Sequence, residues 1–189
     1  ALITYGADHT CKEALSMDVK KSFPFLSQKY AFKVCRIEPE NNIHIVLEAF
    51  SKTTSFLLVI VGNWNNSAYG KKLKLQFDSF ENIYLLEPIY NQNILNQLRS
   101  NCYLYIHGHS AGGTNPSLVE AMHLELPILT YDVPYNRETT HQKALYFNDS
   151  KTLTSLLKSV QDHNLVKTSK ALKAIADDFY TWDIITKQY

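Results

Sequence analysis

No stretch of this 189-residue chain is apolar for long enough to cross a bilayer. Apolar runs such as 56–61 and 127–129 fall far below the roughly 20 residues that a spanning helix needs. An excess of one charge is also missing. Nineteen Lys and Arg stand against eighteen Asp and Glu, a net charge of +1, so no overall field draws the chain to nucleic acid and a specific pocket is the expected binding device. Cysteine is scarce: Cys11, Cys35 and Cys102 are odd in number, scattered and free of any CxxC pair. That argues against a disulfide framework or a zinc ribbon and fits a reducing cytoplasm. No Gly-x-Gly-x-x-Gly follows the first strand and no Gly-x-x-x-x-Gly-Lys-Ser/Thr occurs, which disfavours a dinucleotide oxidoreductase and a P-loop nucleotidase. Internal repeats, low-complexity tracts and Pro-rich linkers are absent too. The opening residues, ALITYGADHT, hold neither an initiator Met nor a signal pattern and read as an excised fragment or a processed chain.

What is present is a globular composition, 45% hydrophobic and 20% charged, enough for one buried core. From residue 30 onward short β-rich runs alternate with amphipathic stretches. Strands are predicted over 30–36, 56–62, 82–86, 102–107, 127–131 and 144–147, several of them almost continuously apolar. Helices are predicted over 43–52, 68–80, 91–99 and 116–124, where apolar residues recur at three and four positions. The expected fold is therefore α/β: a Rossmann-like parallel sheet of about six strands with helices on both faces. From residue 149 no strand signal remains. Asp149 or Ser150 should cap a helix that buries Leu153, Leu156 and Leu157, giving a helical C-terminal tail. Residues 1–29 lack the alternation and are expected to connect 30–189, one ligand-binding domain, to another domain.

In open α/β sheets ligands bind beyond the carboxyl ends of the strands. The loop there with the most unusual composition is HGHSAGGTN, residues 107–115. Gly112 and Gly113 let backbone approach a ligand, and Pro116 at a helix start leaves the following amides free to cradle a phosphate. The alternative is a plain strand-to-helix turn capped by Thr114 or Asn115. Glu120 follows just over one turn later among Leu118, Val119, Ala121 and Met122. A carboxylate so placed can accept hydrogen bonds from a ribose diol, or it can simply be an exposed helix glutamate. Arg36, at the end of the first strand, suits phosphate oxygens, or pairs on the surface with Glu38 or Glu40. His107, His109 and Cys102 lie close in sequence, but strand alternation and the want of a fourth ligand argue against a metal. Asn136 and Arg137, in the loop after the fifth strand, either reach a ligand or solvate a turn beside Pro134.

Nearly the whole chain resembles the donor-binding domain of the family-four retaining glycosyltransferases, which have the two-domain GT-B architecture. The resemblance is carried by VCRIEPENNIHIVLEAF, LLVIVGNW, NIYLLEPIYNQNIL and, most specifically, YLYIHGHSAGGTNPSLVEAMHLELPILTYD. Within the family, GHSAGGTNPSLVEAM and DVPYNRETT look like a rhamnosyltransferase-type branch of bacterial polysaccharide synthesis.

The resemblance implies that Glu120 holds the donor ribose and that Arg36 binds the diphosphate, the pair acting in catalysis. It places Gly62, Asn63, Ile89 and Tyr90 at the donor, with Leu86, Pro88, Ile89 and Tyr90 against the base, a role their apolar surface could exchange for plain core packing. Two positions depart from the family pattern. The first of its paired glutamates falls on Gly112, which has no side chain, so His109, Ser110 or the amides of Gly113, Thr114 and Asn115 must read the sugar. The family's diphosphate-binding lysine falls on Asn41. The implied substrate is a UDP- or dTDP-linked sugar, with no cofactor and no metal. The implied acceptor is a glycan, in some enzymes lipid-linked, held by an N-terminal domain absent from this chain, so the isolated fragment is expected to be inactive. His9 and the tail around Trp182 would adjoin that domain, and the full-length enzyme would be cytoplasmic or peripheral at the inner membrane face. Two other readings fit the same motifs: a GT-B-type sugar-nucleotide epimerase and a noncatalytic nucleotide-sugar-binding domain.

Overall fold

The protein was described from a computed structural model covering residues 4–53 and 56–187. The extreme ends of the expected connection and tail, 1–3 and 188–189, lie outside the described residues. Six strands, β1 (Tyr30–Val34), β2 (Leu57–Val61), β3 (Ile83–Leu86), β4 (Leu104–His107), β5 (Ile128–Tyr131) and β6 (Leu145–Phe147), form one sheet in the order β3-β2-β1-β4-β5-β6. Every pairing is parallel. β2, LLVIV, is buried along its whole length because helices cover both faces of the sheet.

Alternation along the strands divides the core in two. Phe32, Val59, Tyr105 and Ile128 point to one side, where they meet Leu95, Leu98, Leu118, Met122, Leu172 and Ala176. These come from α4 (Gln92–Ser100), α5 (Pro116–His123) and α8 (Leu165–Phe179). Ala31, Leu58, Ile60 and Ile106 point to the other, against α2 (Ile43–Phe50), α3 (Ala68–Phe77) and α7 (Ser150–Lys158). Helix starts are fixed locally. Ser67, Asn91 and Asn115 each accept an N–H of the first turn, and Asp149 with Thr152 closes a capping box at α7.

Several expectations need correction. β1 stops at Val34, so Arg36 lies in the loop beyond it. Residues 134–139, read as loop, form a short helix, α6 (Pro134–Thr139), with Pro134 at its first position. The lead-in segment contains a helix, α1 (Met17–Ser22), and a 3₁₀ turn over Pro24–Ser27. Ala7, Val19 and Phe25 of that segment are buried in the same core as α5 and α8. The tail ends in α9 (Trp182–Thr186), and Ala7 N–H donates to Tyr180 O at 2.9 Å, tying the two ends of the chain together. Among the described residues no helix is long and apolar enough to cross a membrane.

Candidate functional site

The strand order reverses direction between β1 and β4, the switch point at which connections leave to opposite sides and open a crevice. Two cavities lie there. The first, of 360 Å³, is walled by Arg36 and Asn41 from the β1–α2 loop, Leu95 and Arg99 from α4, His109, and the start of α5 through Glu120. The second, of 260 Å³, is lined by Gly62, Asn63, Pro88, Ile89 and Tyr90 and shares Val34, Cys35 and Arg36 with the first. Arg36 thus stands between them.

The cleft floor is two loops strapped together. Asn42, in the left-handed conformation at φ 48°, donates from Nδ2 to Gly108 O at 2.9 Å. Ser110 donates to Glu40 O through its N–H at 2.8 Å and its hydroxyl at 3.0 Å. The two backbones touch at Gly108, where a Cβ would stand 2.3 Å from Asn41 O, so glycine is required by close approach. From the other side α6 takes up the loop carbonyls: Asn136 Nδ2 donates to His109 O and to Tyr131 O, both at 2.9 Å, and Tyr135 donates to Ser110 O at 3.0 Å. Asn136 is therefore a buried brace, while Arg137 pairs with Asp132 at 2.5 and 2.7 Å and stacks on Tyr146.

Of the residues expected at the site, the structure brings Arg36, His109, Asn115 and Glu120 around the first cavity and Gly62, Asn63, Ile89 and Tyr90 around the second. Ser110, Gly112, Gly113 and Thr114 line neither. The hydroxyl of Ser110 is spent on the loop, and the two glycines lie exposed with open space about them. Gly112 has φ +79°, where a side chain is strained. Asn115 caps α5, accepting from Ser117 N–H at 3.0 Å and from the Ser117 hydroxyl at 2.8 Å.

Arg36 is 76% exposed and lies 3.6 Å from Glu38 and 4.0 Å from Glu40, the surface pairing weighed from sequence. Such exposed pairs are weak and readily exchanged. Glu120 is not free. One oxygen meets Nη1 of Arg99, and the other lies 3.5 Å from Nε2 of His9 in the lead-in segment, whose Nδ1 accepts from Trp182 Nε1 at 3.2 Å. Arg99, 3% exposed, was invisible to sequence reading. It sits in the last turn of α4, the end remote from the cleft, and reaches it because helix side chains lean toward the N-terminus.

Histidine electrostatics add a second buried feature. His109 Nδ1 lies 3.0 Å from Asn41 Oδ1, and burial, with smaller contributions from nearby cations, holds its pKa below the usual value. His107 is fully buried, and desolvation followed by the charge of Lys33 pushes its pKa well below 6.5. Lys33, 2% exposed, is itself lowered by burial, and its Nζ lies beside Gly108 beneath the floor.

Comparison with solved structures shows the same fold at low identity. HepE from Anabaena in complex with UDP and glucose is 15% identical with a TM-score of 0.80, over 100% of this chain and 55% of that one. A glycosyltransferase from Rickettsia africae is 12% identical with a TM-score of 0.79, over 98% and 54%. Sucrose-phosphate synthase from Thermosynechococcus elongatus is 13% identical with a TM-score of 0.77, over 98% and 49%. The chain thus spans about half the length of these structures. No curated protein matches it in sequence. Residues 17–173, which run from α1 into α8 and include both cavities, match the family described as glycosyl transferases group 1. The chain belongs to the glycosyl transferases group 1 family.

Proposed function

We propose that this chain is the donor-binding half of a retaining GT-B glycosyltransferase that moves a sugar from a nucleoside diphosphate to an acceptor glycan. The observation that carries the reading is the cleft at the switch point, with Arg36 on one wall and Glu120 with the start of α5 on the other. The ribose would lie on Glu120 and the diphosphate between Arg36 and the N-terminus of α5, whose N–H groups and dipole favour an anion. The base would lie in the second cavity, against Ile89 and the 85% exposed ring of Tyr90. The UDP and glucose held by HepE support a nucleotide-sugar donor.

As the sugar leaves, negative charge grows on the diphosphate. Arg36 and the preorganised amides stabilise that charge more in the transition state than in the ground state. Arg36 must first leave Glu38 and Glu40, a small cost for an exposed pair. Gly112 presents no carboxylate to the sugar, which favours a donor other than the usual glucosyl type, rhamnose among them, linked to UDP or dTDP and transferred without a metal. The acceptor would be bound by a preceding domain on the side of His9 and Trp182, in cytoplasmic synthesis of bacterial surface polysaccharide.

The test is calorimetric titration of the chain with UDP and with dTDP, repeated on Glu120→Ala and Arg36→Ala. Each substitution should weaken binding by about 1 to 3 kcal/mol, the value of a charge-assisted hydrogen bond. Binding of neither nucleotide by the wild type would refute the reading.

A further inference from the structure

Arg99 is buried, charged and at the cavity wall, and nothing in the proposed chemistry uses it directly. Its Nη1 donates to Glu120 Oε2 and its Nη2 to Asn96 Oδ1 at 2.9 Å, while Nε is buried with no partner among the described residues. A guanidinium so fully removed from water is costly unless its charge is met, and the carboxylate that meets it is Glu120. A pair kept only for rigidity would gain from bonding both carboxylate oxygens side by side, the geometry guanidinium favours. Here a single oxygen is taken. The other, Oε1, faces the half-exposed His9 at 3.5 Å, beyond hydrogen-bond length, and is open to exchange for a ligand hydroxyl.

We infer that Arg99 is a positioning residue for the donor nucleoside: by holding Oε2 it fixes the Glu120 carboxylate and presents Oε1 to the hydroxyls of the sugar ring. Asn96 sets the guanidinium from behind, so the alignment passes from α4 through Arg99 to α5. The inference rests on the reading of Glu120 as the nucleoside contact, and it assigns Arg99 no contact with the phosphates.

A double-variant cycle read with two ligands tests it. The affinity of whichever of UDP and dTDP binds the wild type more tightly is measured for Glu120→Gln, Arg99→Met and the combination, and inorganic pyrophosphate is titrated into each. Glu120→Gln and Arg99→Met should each weaken nucleotide binding about tenfold, and the combination no more than either alone, because one removes what the other acts through. Pyrophosphate affinity should be the same in all four proteins. Arg99→Lys, which keeps a charge but not the fork, should recover part of the loss, and it replaces Arg99→Met in the cycle should that variant not fold. Losses that multiply would overturn the inference, as would weakened pyrophosphate binding in the Arg99 variants, which would make Arg99 a phosphate ligand. Indifference of nucleotide binding to Glu120→Gln would instead remove the reading on which the inference rests.

Discussion

Replacing three glycines of one loop by alanine should separate close approach, backbone conformation and free space. At Gly108 the new Cβ would lie 2.3 Å from Asn41 O and 3.0 Å from Lys33 Nζ. The lysine end can yield, but the carbonyl belongs to a backbone strapped by Asn42 Nδ2 to Gly108 O and by Ser110 to Glu40 O. Reaching ordinary contact parts the loops by about 1 Å. Overpacking of this kind costs about 1–3 kcal/mol, and weakening the straps adds on the order of 1 kcal/mol. Gly108→Ala should therefore lose about 2–4 kcal/mol of stability, together with nucleotide affinity, because the straps set the cleft. Gly112→Ala meets nothing within 4 Å among the described residues but must hold φ near +79°, a cost of about 1–2 kcal/mol from the left-handed backbone. Gly113→Ala meets no atom within 4 Å among the described residues and has no such φ, so it should be neutral, or stabilising by about 0.4–1 kcal/mol through the unfolded chain. Equilibrium urea unfolding measures all three. A Gly113→Ala loss as large as that of Gly108→Ala, or a neutral Gly108→Ala, would refute the close-approach argument.

The neighbouring braces and buried charges give further expectations. Asn136→Ala removes two bonds from a 2% exposed amide and should cost about 1–3 kcal/mol and weaken nucleotide binding, whereas Arg137→Ala should leave binding unchanged; calorimetry on both variants decides. Lys33→Met should raise Tm at neutral pH by removing a desolvated charge. Because burial lowers the folded lysine below its ordinary 10.5, the unfolded chain binds more protons between the two values. Wild-type stability should rise with pH across that window relative to the variant, as Tm-pH curves of the two will show. His107 has its folded pKa well below 6.5, so its contribution is present above 6.5 and is lost as pH falls below it. The fall in Tm from pH 6.5 to 5 should be shallower in His107→Gln.

The sheet was legible because its strands carry the signal in themselves: LLVIV can be little but a strand covered on both faces. Strand ends were read one or two residues long, since the pairing of a strand is set by its neighbours and leaves no mark on its own residues: Cys35 still donates to Val61 O beyond the end of β1, and Arg36 does not. α6 was missed for the opposite reason. PYNRET has no apolar period, and Asn136 and Tyr135 hold it against a loop distant in sequence. Arg36, His109, Gly62 and Ile89 could be placed at the cleft because loops after parallel strands gather there by topology alone. Arg99 could not be, because it stands one helix earlier, at the wrong end, and only its length and lean bring it to Glu120. Composition does not reveal that Gly112 and Gly113 stand in open space outside the lining of either cavity.

The strand order also divides the cleft in the time of its making. All the side chains of the second cavity lie between residues 34 and 90, on the β1, β2 and β3 side of the switch point. The first cavity needs α4, the β4 loop and α5, and its walls join only when β4 pairs with β1, Ala31 against Leu104. A chain growing from its N-terminus therefore holds every residue for the second cavity before the segment that supplies Glu120 exists. Closing the first cavity waits on the long-range pairing, the slower kind of step.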